Sequence, residues 1–228
     1  MRSRHLWAAL LAGTTVVSAS GAPSISVAGP SAAGVVAGSV VVLQDGAPKA
    51  DRSNIAVYLE NVPGPPPTPL KGVIRQRDLS FLPGIMVVPT GTTIEFPNDD
   101  KVFHNVFSVS SAARFDLGLY KSGTSKEVTL KRPGVVDVYC NIHPQMAARI
   151  KVIDTGHYAV TGPDGTFRIK DVPAGTYPVV AWQAHGEEHR GEVTVTPGGV
   201  AAVAITLVEG KPSKRHLRKD GTPYGRYK

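Results

Sequence analysis

One cysteine, two histidines and one methionine are the residues of this 228-residue sequence whose types and spacing could do chemistry. Cys140, His143 and Met146 form a C-x2-H-x2-M arrangement directly after a strand-like run, and His104 lies upstream in the string FHNVF. Two imidazoles, a thiolate and a thioether form a soft nitrogen and sulfur donor set, which suits copper in a trigonal His₂Cys site with a weak axial methionine. Zinc also accepts histidine and cysteine but gains little from a thioether. The pattern therefore predicts a metal site that favours copper.

Three further residues are expected to support this site without binding the metal themselves, namely Asn105, Asn141 and Pro144. Pro144 fixes its own φ and so stiffens the loop. Asn105 is expected to hydrogen-bond the backbone of Cys140 and Asn141. The loop would place three donors around the metal, and a non-adjacent strand of the opposite sheet would supply the upstream histidine. Ligands held by a rigid sandwich move little between two oxidation states, which favours electron transfer.

The composition predicts an all-β chain with little helix. Hydrophobic residues make up 42% of the sequence, and its 24 glycines and 19 prolines are typical of short strands joined by many turns. A single cysteine excludes an internal disulfide framework and any multi-cysteine zinc or iron–sulfur site. No apolar run approaches the roughly 18–20 residues needed to cross a bilayer. We therefore expect a β-rich protein without a transmembrane segment.

Alternation of residue types predicts which side chains face inward before the candidate loop. Val136, Val138 and Cys140 share one face of a strand, while Asp137 and Tyr139 share the other. The cysteine thus ends a strand on its apolar side, and a buried free thiol is the alternative interpretation of such a residue.

The N-terminus has the organisation of a secretory signal peptide. Residues 1–20 combine an early basic segment with the apolar run Leu6–Val17, and Ser18 and Ser20 occupy positions −3 and −1 of the expected cleavage site. A buried N-terminal helix is the alternative. Residues 21–38 are rich in Ala, Ser, Gly and Pro and are predicted to be a linker. The mature protein is therefore expected to be periplasmic or secreted.

Positive charge is concentrated at the C-terminus. Residues 211–228 contain seven basic residues and one acidic residue, so most of the formal net charge of +7 lies there. We predict that residues 210–228 form a basic disordered tail on a nearly neutral body. Export makes nucleic acid an unexpected partner, whereas a redox partner with an acidic docking surface fits the charge.

The strings FPNDDKVFHNVFSVS, FDLGLY and VYCNIHPQM resemble exported cupredoxins of the methylamine-utilisation-protein type. Residues 72–153 are similar to type-1 copper proteins of the plastocyanin, azurin and amicyanin kind. The resemblance implies a Greek-key β-sandwich with one type-1 copper ion and a role in electron transfer. Carried over by position, it implies the ligands His104, Cys140, His143 and Met146. It also implies that electrons leave through His143.

A second resemblance concerns the string TGPDGTFRIKDVPAGTYPVVAW, which is similar to the carboxypeptidase regulatory-like (transthyretin-like) β-sandwich. Residues 36–59 match the first hairpin of that family. The resemblance implies a cupredoxin domain at 70–154 that is inserted into this regulatory-like β-sandwich, which would comprise residues 39–62 and 156–209. A sequential layout, with residues 39–62 in the copper domain, is the alternative.

These observations predict an exported blue-copper protein that transfers single electrons between redox partners. A copper-binding or copper-delivery protein without electron-transfer turnover is the alternative. A third interpretation treats the regulatory-like sandwich as a binding module that positions the copper domain. We do not expect an enzyme, because four protein ligands leave no open coordination position for a substrate.

Overall fold

The computed structural model describes residues 32–211 and 216–225, and within them the chain forms β-strands and no helix. The all-β prediction is thereby confirmed. The predicted signal peptide, residues 1–20, lies outside the described residues. None of the described segments is a helix with the length and apolarity to span a bilayer.

The first nine strands are β1 Gly34–Gln44, β2 Ala47–Pro48, β3 Ala56–Leu59, β4 Lys71–Val73, β5 Arg75–Arg77, β6 Ser80–Leu82, β7 Ile85–Pro89, β8 Thr93–Pro97 and β9 His104–Val109. The remaining strands are β10 Arg114–Tyr120, β11 Ser125–Thr129, β12 Gly134–Tyr139, β13 Ala147–Ile153, β14 Tyr158–Val160, β15 Thr166–Val172, β16 Gly175–Trp182, β17 His189–Val195 and β18 Val200–Val208.

One sandwich, which we call the regulatory-like sandwich after the sequence resemblance given above, consists of strands from both ends of the described chain. One sheet has the order β15-β1-β18, with β2 beside β1, and the other has the order β14-β3-β16-β17. Strand β1 runs antiparallel to β15 and parallel to β18. The core between the sheets is apolar and includes Val36, Val40, Leu59, Val179 and Ile205. Strands β1–β3 and β14–β18 therefore share one core.

The strands between them form a second sandwich. One sheet has the order β10-β9-β12-β13-β7, another has the order β11-β8-β4, and β5 and β6 form a hairpin. Its core includes Ile94, Phe96, Val106, Val138 and Ile150. The chain thus leaves the first sandwich after β3, builds the second from β4–β13 and returns at β14.

The predicted linker is wrong for its last residues, because β1 begins at Gly34 and not after residue 38. Small residues in this segment suggested a flexible connection. In the structure Gly38 lies against β18, where a Cβ atom would be 1.7 Å from the carbonyl oxygen of Val203. The absence of a side chain at this position is therefore a packing requirement of the β1–β18 pair.

The two sandwiches meet at a third apolar cluster, which includes Ala56, Tyr58, Ile153 and Trp182. Lys151 of β13 lies beside it and is buried, although alternation along the strand places it on the polar face. The regulatory-like sandwich covers that face at Lys151 and Ile153, so this end of β13 is shielded from water on its outer side as well.

The expectation of a disordered C-terminal tail is wrong for residues 216–225, which we name the C-terminal strap. His216 stacks on Tyr139, with ring centroids 4.0 Å apart and an interplanar angle of 17°. Lys219 pairs with Asp116 at 2.6 Å, and the Tyr224 hydroxyl bonds to backbone of the second sandwich. Charge alone suggested a solvated tail, but its aromatic rings and hydrogen-bonding groups find partners on the fold.

Candidate metal centre

Three of the four predicted ligands meet at one end of the second sandwich. The Nδ1 atoms of His104 and His143 lie 3.0 Å apart, and the Cys140 Sγ atom lies 3.9 Å and 3.6 Å from them, respectively. The described residues contain one such cluster of histidine, cysteine or carboxylate donors. His104 and Cys140 are fully buried, while His143 is partly exposed. The donors therefore converge on one point beneath the surface.

The loop after β12 brings its own three donors together through backbone hydrogen bonds. The Cys140 amide donates to the Met146 carbonyl at 3.3 Å, and the Met146 amide donates to the His143 carbonyl at 3.1 Å. The first bond closes the loop, and the second forms a turn inside it. Met146 is fully buried and belongs to the same apolar cluster as Cys140. The fourth predicted ligand thus lies at the end of this closed loop, on its inner side.

His104 starts β9, and the expectation that it comes from the opposite sheet on a non-adjacent strand is wrong. Strand β9 pairs directly with β12 in the same sheet, through Phe107 opposite Tyr139. The start of β9 therefore lies beside the end of β12, where Cys140 follows. Adjacent antiparallel strands bring these two ends together without any contribution from the facing sheet.

Asp100 fixes the orientation of the His104 ring. The Nε2 atom of His104 lies 2.8 Å from Oδ2 of Asp100. Because an ionised carboxylate only accepts hydrogen bonds, Nε2 carries the proton of this contact. Nδ1 is consequently the nitrogen that faces Cys140 and His143 and that gives up any proton when a metal binds.

The surroundings of the cysteine favour its thiolate form. Burial opposes ionisation of Cys140, but hydrogen bonds outweigh burial and lower the pKa of the thiol. The donors are His104 and the backbone N–H groups of Asn105, Ile142 and His143. Burial, followed by the charge of His104, lowers the pKa of His143, which favours its neutral, metal-binding form.

The donor separations fit a single metal ion bound by two nitrogens and one sulfur. Metal–nitrogen bonds of about 2.0 Å and metal–sulfur bonds of about 2.3 Å place donor atoms roughly 3–4 Å from each other. The three distances among His104, Cys140 and His143 fall in that range. The donor set therefore matches a trigonal His₂Cys site, with Met146 close by in the chain as the soft axial candidate.

The residues expected in the second coordination sphere differ in their contacts. The Asn105 side chain does not brace the backbone of the loop as predicted; its Nδ2 atom donates to Asp116 at 2.7 Å. Its backbone N–H group bonds to the Cys140 sulfur instead. The Asn141 side chain accepts a hydrogen bond from the Lys219 amide at 3.0 Å. The prediction for Asn105 failed because its side chain and its amide point to different partners.

Sequence reasoning missed Asp100, Asp116 and the strap residues Lys219 and Tyr224. The NDD string directly before the histidine segment gave a local signal for Asp100, since an aspartate four residues upstream can reach an imidazole across a turn. No spacing rule connects Tyr224 with Cys140, because the two residues are 84 positions apart.

Comparisons with solved structures find copper proteins of limited similarity. A variant of amicyanin with Cu(I) is 21% identical over 36% of this chain and 82% of its own, with a TM-score of 0.35. A purple cupredoxin from Nitrosopumilus maritimus is 24% identical over 36% of this chain and 99% of its own, with a TM-score of 0.33. A copper-containing nitrite reductase from Thermus scotoductus is 22% identical over 50% of this chain and 28% of its own, with a TM-score of 0.35.

Comparison with protein families finds a match in the C-terminal half of the chain. No curated protein matches the sequence. Residues 133–208 match the carboxypeptidase regulatory-like domain. The matched segment contains β14–β18 and begins earlier than the predicted residue 156, since it also includes β12 and β13. The chain therefore contains a segment that matches the carboxypeptidase regulatory-like domain, and this segment overlaps the β-sandwich that carries the His104–Cys140–His143 centre.

Proposed function

We propose that the protein is an exported electron carrier with one type-1 copper ion bound by His104, Cys140, His143 and Met146. The observation behind this proposal is the convergence of two imidazole nitrogens and one thiol sulfur within 3.9 Å of each other at a buried position. A set of two histidines with one thiolate stabilises both oxidation states of copper. Four protein ligands leave no position for a substrate, which favours a carrier over an enzyme.

Copper, when bound, supplies a one-electron couple. The protein supplies a rigid set of ligands whose geometry changes little during electron transfer. Asp100 keeps the His104 ring in one orientation, and the backbone N–H groups around Cys140 stabilise the thiolate. The closed loop from Cys140 to Met146 restrains the remaining donors. His143 is partly exposed, so we propose that its ring is the route between the buried centre and a redox partner.

Copper storage or delivery is a second candidate, and the burial of both sulfur donors favours it. Cys140 and Met146 are each fully buried, and soft sulfur ligands hold Cu(I) well. A delivery protein would need to open this loop to release the ion. The two candidates differ in the expected visible spectrum with Cu(II). The Cu(II) complex of a carrier has a strong absorption band from the thiolate, whereas that of a delivery protein does not.

The visible spectrum of the protein with Cu(II), followed by a redox titration, tests the proposal. We expect an intense band from the Cys140 thiolate and a reversible one-electron couple. Cys140→Ser should abolish the band, because a hydroxyl does not replace the thiolate. A colourless wild-type complex with Cu(II) would overturn the electron-carrier proposal and favour copper delivery.

A further inference from the structure

The C-terminal strap, residues 216–225, contacts three consecutive residues at the entry of the ligand loop. The His216 ring stacks on Tyr139. The Tyr224 hydroxyl donates a hydrogen bond to the carbonyl oxygen of Cys140 at 2.5 Å. The Lys219 amide donates to the Asn141 side chain at 3.0 Å. The Cys140 carbonyl and the Asn141 side chain, both at the start of the loop, therefore accept hydrogen bonds from a segment that is distant in the sequence.

The strap also reaches β9, the strand that supplies the other histidine, through Asp116 of the neighbouring strand β10. The Lys219 ammonium group lies 2.6 Å from Oδ2 of Asp116. Oδ1 of the same carboxylate accepts a hydrogen bond from the side chain of Asn105, the residue after His104. Although burial alone would raise it, the pKa of Asp116 is lowered, first by Lys219 and then by Asn105. Lys219 is thus connected both to the loop and to the start of β9.

Internal contacts give the strap a defined conformation. The Arg218 amide donates to the Thr222 carbonyl, and the Gly221 amide donates to the Arg218 carbonyl, both at 2.9 Å. The Arg218 guanidinium lies over the Tyr224 ring, 5.5 Å from its centroid. The Tyr224 hydroxyl is also 3.2 Å from Nδ1 of His216. These contacts orient Tyr224 and Lys219 toward the second sandwich.

We infer that the C-terminal strap is a positioning element of the metal centre, which holds the ligand loop closed and aligned with β9 through Tyr224 and Lys219. This inference deepens the proposed copper site and rests on it for its functional meaning. The Tyr224 bond ends on the carbonyl of the ligand residue Cys140 itself, so a displacement of the strap changes the loop at that residue. The basic tail then has a structural role at the centre in addition to its charge.

Alkylation of the Cys140 thiol in the metal-free, full-length protein tests this inference. The thiol is fully buried, so iodoacetamide reaches it only when the loop opens locally. Tyr224→Phe removes the hydroxyl's hydrogen bond to the Cys140 carbonyl, together with its contact to His216, and should raise the alkylation rate roughly threefold to tenfold. Lys219→Ala should act in the same direction, the double variant should exceed both, and Lys219→Arg should restore most of the protection.

Tyr177→Phe is the matched control, because the Tyr177 hydroxyl also donates to a backbone carbonyl, that of Ala174, in the other sandwich. Its alkylation rate should equal that of the wild type. Denaturant unfolding of each variant separates local opening from global destabilisation. An unchanged rate in the Tyr224→Phe/Lys219→Ala variant, or an increase fully explained by global unfolding, would overturn the inference.

The copper-loaded protein provides a second readout. If the strap aligns the ligands, the double variant should shift the midpoint potential relative to the Tyr177→Phe control, and an unchanged potential would also overturn the inference. The alkylation experiment uses no metal. A wild type that fails to form a coloured Cu(II) complex would therefore overturn the proposed function, while the alkylation rates would still decide whether the strap holds the loop.

Discussion

The carboxylate of Asp100 lies 2.8 Å from Nε2 of His104, on the side of the ring opposite the donor cluster. The same carboxylate accepts hydrogen bonds from the backbone amides of Asp78 and Leu79, at 2.7 Å and 3.0 Å. Asp100 therefore fixes the imidazole to the turn between β5 and β6. A ligand held in this way keeps one tautomer and one ring orientation, which is the usual function of a carboxylate behind a metal-binding histidine.

The first prediction concerns this carboxylate. Asp100→Ala should weaken copper binding by about 10–100-fold, because the His104 ring loses the partner that orients it. Competition with a chromophoric chelator measures the affinity. Asp99→Ala is the matched control: Asp99 is the neighbouring residue, and it pairs with Arg75 instead of a ligand. Equal affinities of the two variants would show that Asp100 does not orient His104 for the metal.

The donor residues after β12 were predictable from the sequence because their relationship is local. Cys140, His143 and Met146 lie within seven positions of each other, and strand alternation before them indicates the buried face. The sequence indicated His104 as a candidate ligand by its residue type, but it did not indicate which strand places this histidine beside the loop. Its delivery by the adjacent strand β9 depends on sheet order, which a spacing pattern does not contain.

Contacts between distant segments explain the predictions that failed. The strap was interpreted from its charge, whereas its structure depends on acceptors at Cys140 and Asn141 that no tail sequence reveals. Asp116 and Gly118 interrupt the apolar alternation of β10, and the register of β10 with β9 shifts there, so alternation of residue types alone does not indicate this strand. Lys151 is buried against alternation because the regulatory-like sandwich covers the outer side of its strand.

The second prediction concerns the axial position. Met146→Leu conserves volume in a buried site, so the fold and the thiolate band should be kept. The reduction potential should rise, because loss of a weak thioether donor disfavours Cu(II). Met86→Leu, on β7 of the same sandwich and paired with Ile150 beyond the loop, should leave the potential unchanged. A sharp loss of Cu(I) retention in Met146→Leu, measured by transfer to a chelator, would instead indicate a delivery protein.

The third prediction concerns the parallel contact between β1 and β18. Gly38→Ala would place a Cβ atom 1.7 Å from the Val203 carbonyl oxygen, 2.8 Å from the Val203 carbonyl carbon and 3.0 Å from the Phe167 ring, which leaves little room for adjustment. We expect destabilisation of the regulatory-like sandwich by about 1–3 kcal/mol, with the melting temperature falling by several degrees. Gly156→Ala is the control, since a Cβ atom there meets nothing within 4 Å.

Copper binding distinguishes an effect on one sandwich from an effect on both. Because β1 shares no sheet with β9 or β12, the Cu(II) spectrum of Gly38→Ala should match that of the wild type at temperatures below the transition. Calorimetry of the metal-free protein gives the melting temperature. A Gly38→Ala variant that melts together with Gly156→Ala would contradict the close approach of the two strands.

The last prediction concerns the ion pair between the two sandwiches. The Lys151 ammonium group lies 2.5 Å from Oε1 of Glu188 and above the rings of Tyr58 and Trp182, 5.5 Å and 5.6 Å from their centroids. The side chain of Lys151 is 8% exposed and that of Glu188 is 26% exposed. Glu188 also pairs with Arg190 at 3.1 Å. Removal of Lys151 therefore leaves Glu188 with a second ion pair, whereas removal of Glu188 takes away the carboxylate partner of Lys151.

Glu188→Ala should destabilise the protein by about 2 kcal/mol or more, because it leaves a buried ammonium group without a carboxylate. Lys151→Met should lower the free energy of unfolding by less than about 1 kcal/mol. Glu188 remains paired with Arg190 and in contact with water, and the methionine side chain packs against the aromatic rings. Urea unfolding of the metal-free protein measures both values. The double variant should be more stable than Glu188→Ala alone, because it contains no unpaired buried charge. Equal costs for the two single variants would mean that Lys151 reaches water in the folded state, and the pair would then not be a desolvated contact between the sandwiches.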